Sequence, residues 1–196
     1  MVALRSLCVF CGSSSGRDPA HTDLAVELGR TLAEQGVTLV YGGASVGLMG
    51  AIADACLVAG GSVVGVIPRG LFRREVAHRG ITELIEVETM HERKAVMYDR
   101  ADAFVALPGG FGTLDELFEC LTWSQIGIHG KPSAVLDSNG FWAPLLAQLD
   151  GMVDVGLLRP ENRALLHVAT TPTDLLDVLR GAEVTVTEKW IDPDER

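Results

Sequence analysis

Short apolar runs rich in β-branched residues alternate along this chain with segments of helical periodicity, and several runs end on glycine-rich turns. Parallel strands need a helical crossover, and a strand covered on both faces reads as a continuous apolar run. The pattern therefore predicts an α/β fold, a doubly wound parallel sheet flanked by helices. Strands are expected at Leu7–Phe10, Val37–Tyr41, Val63–Ile67, Leu84–Val87, Ala103–Leu107, Ser133–Leu136 and Leu165–Val168. Asp18-Pro19 supplies an N-cap and a first-turn proline for a helix whose stripe is Leu24, Leu28 and Leu32, closed by Gly36. A helix of small residues follows the glycine-rich Gly42–Gly50 and runs to Gly60. Thr89 and Glu92 have capping-box spacing, which predicts a helix to about Arg100. Further helices are expected through Trp123, from about Phe141 and from Pro172.

With 196 residues the chain fits one domain, taken as residues 1–189 with a polar tail at 190–196. Residues 69–82 break the alternation with four arginines, Glu75 and His78, and read as a mobile functional loop. The formal charge of −10 argues against a nucleic-acid binder or a polybasic membrane-surface protein. It does not exclude a small anion, which local donors bind. No run approaches the ~20 apolar residues of a membrane span, and no secretory signal stands at the N-terminus, so the expected location is cytoplasmic.

The segment Leu107–Glu116 points most directly to chemistry. A strand ending in Gly109, Gly110, Gly112 and Thr113 before a helix places backbone N–H groups around an anion. No Gly-Lys-Ser/Thr follows, so it is not a Walker loop, and neither spacing nor position matches the dinucleotide fingerprint. Two readings of Glu116 stand. Its spacing from Thr113 suits a capping box, whereas the first helical turn beside an anion site would make it a reacting carboxylate. Asp115 points about 100° away and reads as solvated. His91-Glu-Arg-Lys94 is the second candidate: Arg93 and Lys94 at a helix start oppose the macrodipole unless an anion offsets them, and otherwise form an ordinary solvated pair. On the first reading, both cations and the glycine-lined helix start concentrate positive potential at one cleft.

Other features point to plain structure. Cys8 and Cys11 lie on opposite faces of a strand, and no second pair exists for zinc, so no metal is expected. Pyridoxal chemistry needs a Schiff-base lysine, and the lysines are Lys94, Lys131 and Lys189. Met49, Met90 and Met97 read as core filler.

Pro108-Gly-Gly-Phe-Gly-Thr-Leu-Asp-Glu116 resembles the P-G-G-x-G-T-x-x-E motif of the LOG (Lonely Guy) family, the cytokinin riboside 5′-monophosphate phosphoribohydrolases formerly labelled lysine decarboxylases. Met90-His-Glu-Arg-Lys94 is similar to the family's second motif, and Cys11-Gly-Ser-Ser14 and Gly42–Gly50 to its earlier loops. The resemblance runs from residue 6 to about residue 155. It implies a Rossmann-like fold, a homodimer, no metal and no cofactor. By position, Arg93 and Glu116 fall on the family's catalytic arginine and glutamate. Substrate-binding roles are implied for Glu75, Lys94, Gly110, Phe111, Gly112, Thr113, Leu114, Asp115 and Thr122, and for Gly43 and Ser14 in the earlier loops.

The implied reaction is hydrolysis of the N-glycosidic bond of a purine nucleoside 5′-monophosphate, giving free base and ribose 5-phosphate. Two other readings remain: a general AMP nucleosidase, differing only in the base pocket, and a nucleotide or molybdenum-cofactor carrier of the same fold. A carrier needs neither the arginine nor the glutamate.

Overall fold

The computed structural model describes residues 3–70 and 77–182. Glu75, the centre of the arginine-rich segment and the tail at 190–196 lie outside the described residues. The strands are β1 (Ser6–Phe10), β2 (Thr38–Tyr41), β3 (Val63–Pro68), β4 (Glu83–Val87), β5 (Ala103–Ala106), β6 (Ser133–Leu136) and β7 (Leu166–Ala169). They form one sheet in the order β4-β3-β2-β1-β5-β6-β7, and every pair is parallel. Central β1 pairs with β2 (Leu7 beside Leu39) and with β5 (Leu7 beside Ala103). The chain winds outward from β1 to β4, then crosses back to start β5 on the other side of β1. This reversal opens a crevice at the carboxyl ends of β1 and β5, where open α/β sheets bind ligands.

The helices are α1 (Pro19–Glu34), α2 (Gly47–Val58), α3 (Met90–Arg100), α4 (Phe111–Gln125), α5 (Ala143–Asp154), the single turn α6 (Pro160–Arg163) and α7 (Pro172–Gly181). On one face of the sheet, Leu24, Leu28 and Leu32 of α1 pack with Ile52 and Cys56 of α2 and Leu175, Leu176 and Leu179 of α7. On the other, Met97 and Tyr98 of α3 meet Leu117 and Cys120 of α4 and Leu149 of α5. Each fully buried leucine contributes about 2 kcal/mol, so the α1 stripe docks that helix firmly. Cys8 and Cys11 do fall on opposite faces, one in each core.

The caps follow the expected chemistry. Asp18 Oδ1 accepts from Ala20 N at 2.9 Å, and Gly36 ends the segment at φ +65°. Thr89 Oγ1 accepts from Glu92 N at 3.1 Å, while Glu92 Oε2 accepts from Thr89 N at 3.3 Å. Helix α2 begins at Gly47, three residues before the glycine-rich segment ends. Gly47 takes φ +60°, and a β-carbon there would strike the Ser13 backbone, so only glycine lets this helix start beside the β1 loop.

Candidate active site

Loops from β1 and β5 are stitched together at the crevice. Leu107 N donates to Phe10 O at 2.9 Å, Gly12 N to Pro108 O at 3.1 Å, and Leu48 N to Gly12 O at 3.1 Å. The loops and the starts of α2, α3 and α4 surround a cavity of about 500 Å3. That volume lies within the range of small-molecule sites, roughly 300–1,000 Å3.

Helix α4 begins at Phe111 with Gly110 as its N-cap, and no side chain caps it. The N–H groups of Phe111, Gly112 and Thr113 precede the first intrahelical bond, Leu114 N to Gly110 O, and face the cavity unpaired within the helix. They carry the positive end of the helix dipole, an anion site by geometry. The capping-box reading of Thr113 and Glu116 is thereby corrected. The helix starts three residues before that pairing requires, because Gly110 adopts the extended cap conformation, and the Glu116 carboxylate is engaged elsewhere.

Its partner is Arg93, whose Nη1 donates to Glu116 Oε1 at 2.7 Å. Both side chains are about nine-tenths buried yet line the cavity. Arg93 Nε donates to Val66 O at 3.1 Å, and Nη1 lies 3.5 Å from Met90 Sδ. Gly42, the residue after β2, lies against the guanidinium, where a β-carbon would displace Nη2. Burial pushes the Glu116 carboxyl above the ordinary glutamate range, while the charge and hydrogen bond of Arg93 pull it back. The result is a carboxylate held within reach of a ligand at the start of α4.

The structure brings together Arg93, Glu116, Gly110, Phe111, Gly112 and Thr113. Ser14 lines a neighbouring cavity of about 330 Å3 that shares Gly12, Ser13 and Gly110. Gly43 sits against β3 between two cavity residues, Gly42 and Ala44. Leu114 packs into the core beneath α4, and Thr122 is exposed farther along that helix. Asp115 is largely solvated, as expected, but also accepts from Lys94 Nζ at 3.1 Å. Lys94 does not line the cavity: its ammonium is buried between Asp115 and Glu119, so the expected pair of free cations is not formed. The uncapped start of α4 carries the anion-attracting potential instead.

Sequence reasoning missed that Met49 and Met90 line the cavity, although Met97 is core as expected. It also missed Gly42 as the floor beneath Arg93. Among the described residues, no group of His, Cys, Asp or Glu could hold a metal. No described helix is long and apolar enough to cross a membrane.

Fold and site together define a Rossmann-like α/β protein with an uncapped helix start and a buried Arg–Glu pair lining one crevice. The chain belongs to the LOG family: the profile described as "Possible lysine decarboxylase" matches residues 49–179. It is 48% identical over 172 residues to the cytokinin riboside 5′-monophosphate phosphoribohydrolase LOG of Oryza sativa subsp. japonica, covering 88% of this chain and 71% of that one. It is likewise 48% identical over 175 residues to LOG2 of Arabidopsis thaliana, a protein of the same name, covering 89% and 82%. Among solved structures, it shares its fold with the molybdenum cofactor binding protein of Rippkaea orientalis, with a TM-score of 0.68, 20% identity and coverage of 89% and 94%. The molybdenum cofactor carrier protein of Chlamydomonas reinhardtii gives 0.67 at 22% identity, covering 89% and 95%.

Proposed function

We propose that this chain hydrolyses the N-glycosidic bond of an N6-modified adenosine 5′-monophosphate, releasing the free cytokinin base and ribose 5-phosphate. The observation that carries the reading is the 2.7 Å Arg93–Glu116 pair set against the uncapped start of α4. The relatives at 48% identity bear the name of this activity. The likeness to molybdenum-cofactor carriers is one of fold, and a carrier has no use for a buried carboxylate aimed at its ligand.

The 5′-phosphate sits on the N–H groups of Phe111, Gly112 and Thr113. Cleavage leaves the C–N electron pair on the base, which takes up a proton, and makes the ribose oxocarbenium-like at C1′. Glu116 stabilises that charge and aligns the attacking water, accepting its proton as hydroxyl adds to C1′. Arg93 orients the carboxylate and keeps it ionised. Met49 and Met90 offer an adaptable apolar wall to the base. Ser14, Gly43, Glu75 and Thr122 complete the substrate-binding set by resemblance.

The lysine decarboxylase label does not suit the lysines. Lys94 is bound by two carboxylates, Lys131 donates to Tyr98 O at 2.6 Å, and Lys189 lies outside the described residues. We further read the chain as a cytoplasmic homodimer. Exposed Phe111 and Phe118 on α4, followed by Ile126 and Ile128, offer an apolar face to a second copy.

Incubation with N6-isopentenyladenosine 5′-monophosphate and with AMP, following base and ribose 5-phosphate by chromatography, tests the reading. Release of both products, lost in Glu116→Gln, is expected. Equal rates on the two substrates would move it to general purine salvage, and tight binding without base release to a carrier.

A further inference from the structure

Arg93 and Lys94 are consecutive on α3, and each reaches across to α4. Arg93 takes Glu116, which faces the cavity. Lys94 takes two residues one turn apart on the adjoining face of α4, Asp115 Oδ2 at 3.1 Å and Glu119 Oε1 at 3.0 Å. The other Glu119 oxygen accepts from the Tyr98 hydroxyl at 2.8 Å, and that hydroxyl also lies 3.2 Å from the Glu116 carbonyl oxygen. Tyr98 stands one turn after Lys94 on the same helix face. Its ring is wedged edge-on against Phe104 and Trp123, with centroids 5.5 and 5.1 Å away, which fixes the hydroxyl. Both oxygens of Glu119 are thus gripped from α3. Lys94, Tyr98 and Glu119 all lie outside the cavity lining, and the Lys94 side chain is only 8% exposed.

We propose that Lys94, Tyr98 and Glu119 form a clamp that positions Glu116 against Arg93, and that Lys94 is a positioning residue rather than a ligand of the substrate. The inference rests on the phosphoribohydrolase reading above. Reaction at C1′ demands placement within a fraction of an ångström, and misplacement by 1 Å can lower a rate roughly 100-fold. A pair joining two helices holds that precision only if the helices cannot slide, and the clamp ties them one turn beyond the pair. It also sets the charge around Glu116. Arg93 and Lys94 face that carboxylate from α3 and favour its ionised form; Asp115 opposes them, and the thiols of Cys8, Cys11 and Cys120 and the Tyr98 phenol complete its surroundings.

The experiment compares kcat, KM, the pH profile and inhibition by ribose 5-phosphate for the wild type, Lys94→Gln, Lys94→Arg, Glu119→Gln and Tyr98→Phe. Positioning predicts that Lys94→Gln lowers kcat by roughly 10- to 100-fold, with KM and the ribose 5-phosphate inhibition constant nearly unchanged. The acid limb then moves to higher pH, and Lys94→Arg restores part of kcat. Tyr98→Phe removes one hydroxyl and no charge, and lowers kcat in the same sense even if Lys94→Gln does not fold. A Lys94→Gln enzyme with weaker ribose 5-phosphate binding and retained kcat overturns the proposal, as does a Tyr98→Phe enzyme with unchanged kcat. A wild-type chain that releases no base takes down the functional reading, and this inference with it.

Discussion

Gly42 lies so close to the Arg93 guanidinium that a β-carbon there would occupy the place of Nη2. The end of β2 is thus shaped to seat the cation that pairs with Glu116. The guanidinium has no ready escape, since its Nε is bound to Val66 O and the side chain is buried. Gly42→Ala should therefore push Arg93 off Glu116 and lower kcat/KM by roughly 100-fold. Steady-state assays on the purified variant check this, with circular dichroism to show that the fold is retained.

Removing Arg93 tests the other side of that contact. Breaking a buried pair by deleting one partner costs about 3–5 kcal/mol, so Arg93→Ala should lower the unfolding midpoint in urea. The cost is expected to shrink at acid pH, where Glu116 takes a proton and no longer needs the cation. Urea melts across a pH series measure both effects.

The pH dependence of turnover follows from the raised Glu116 carboxyl. The proposed mechanism needs Glu116 ionised, so kcat/KM should fall as pH drops through a value above the ordinary glutamate range. In Arg93→Ala any residual activity should show that limb at still higher pH, because the cation that lowers it is gone. Folding runs in the opposite sense. The folded chain holds this proton more tightly than the unfolded chain, so the group favours folding below its unfolded pKa. That contribution is lost as pH rises through the folded value. The stability of the wild type relative to Glu116→Gln should therefore decline across this window.

What could be read from the chain divides along the range of the interactions. The strands, the Asp18 and Thr89 caps and the α1 leucine stripe depend on neighbours within a few residues; the caps and the stripe appear where spacing put them, and the strands within one residue of it at each end. The α4 start was misplaced because Gly110 caps through backbone conformation and leaves no side-chain signature. The Arg93–Glu116 pair joins residues 23 apart, and motif resemblance pointed to both while spacing offered Glu116 a local partner. Nothing local reveals that Lys94 turns toward Glu119, since that depends on α3 and α4 lying side by side. Met49 and Met90 carry the same signature as a buried methionine, and only the topology puts them at the cavity.

Self-association is predicted through the exposed face of α4. Phe111 is 92% exposed at the cavity lip, and Phe118 lies two turns along the same face, with Thr122 one turn farther. A single charge should break such a face while leaving the core beneath it intact. Light scattering is expected to give a dimeric mass for the wild type and a monomeric mass for Phe118→Asp, with the variant's thermal midpoint lowered by mass action alone. If the partner helps to build the base pocket, KM rises with dissociation.

Cys8, Cys11, Cys56 and Cys120 are all free and buried, and burial pushes each above its ordinary range, Cys56 to about 11. The thiolate is the reactive species, so burial suppresses attack both by access and by ionisation. Native protein at pH 8 should react with a disulfide reagent only as fast as it opens, and all four thiols should appear together in denaturant. Cys11 lines the cavity and is the informative exception. If it alone reacts in the native chain, ribose 5-phosphate should protect it, because a phosphate on the start of α4 closes the route past Gly12 and Ser13. Protection that is absent at saturating ribose 5-phosphate would place the sugar phosphate outside this crevice.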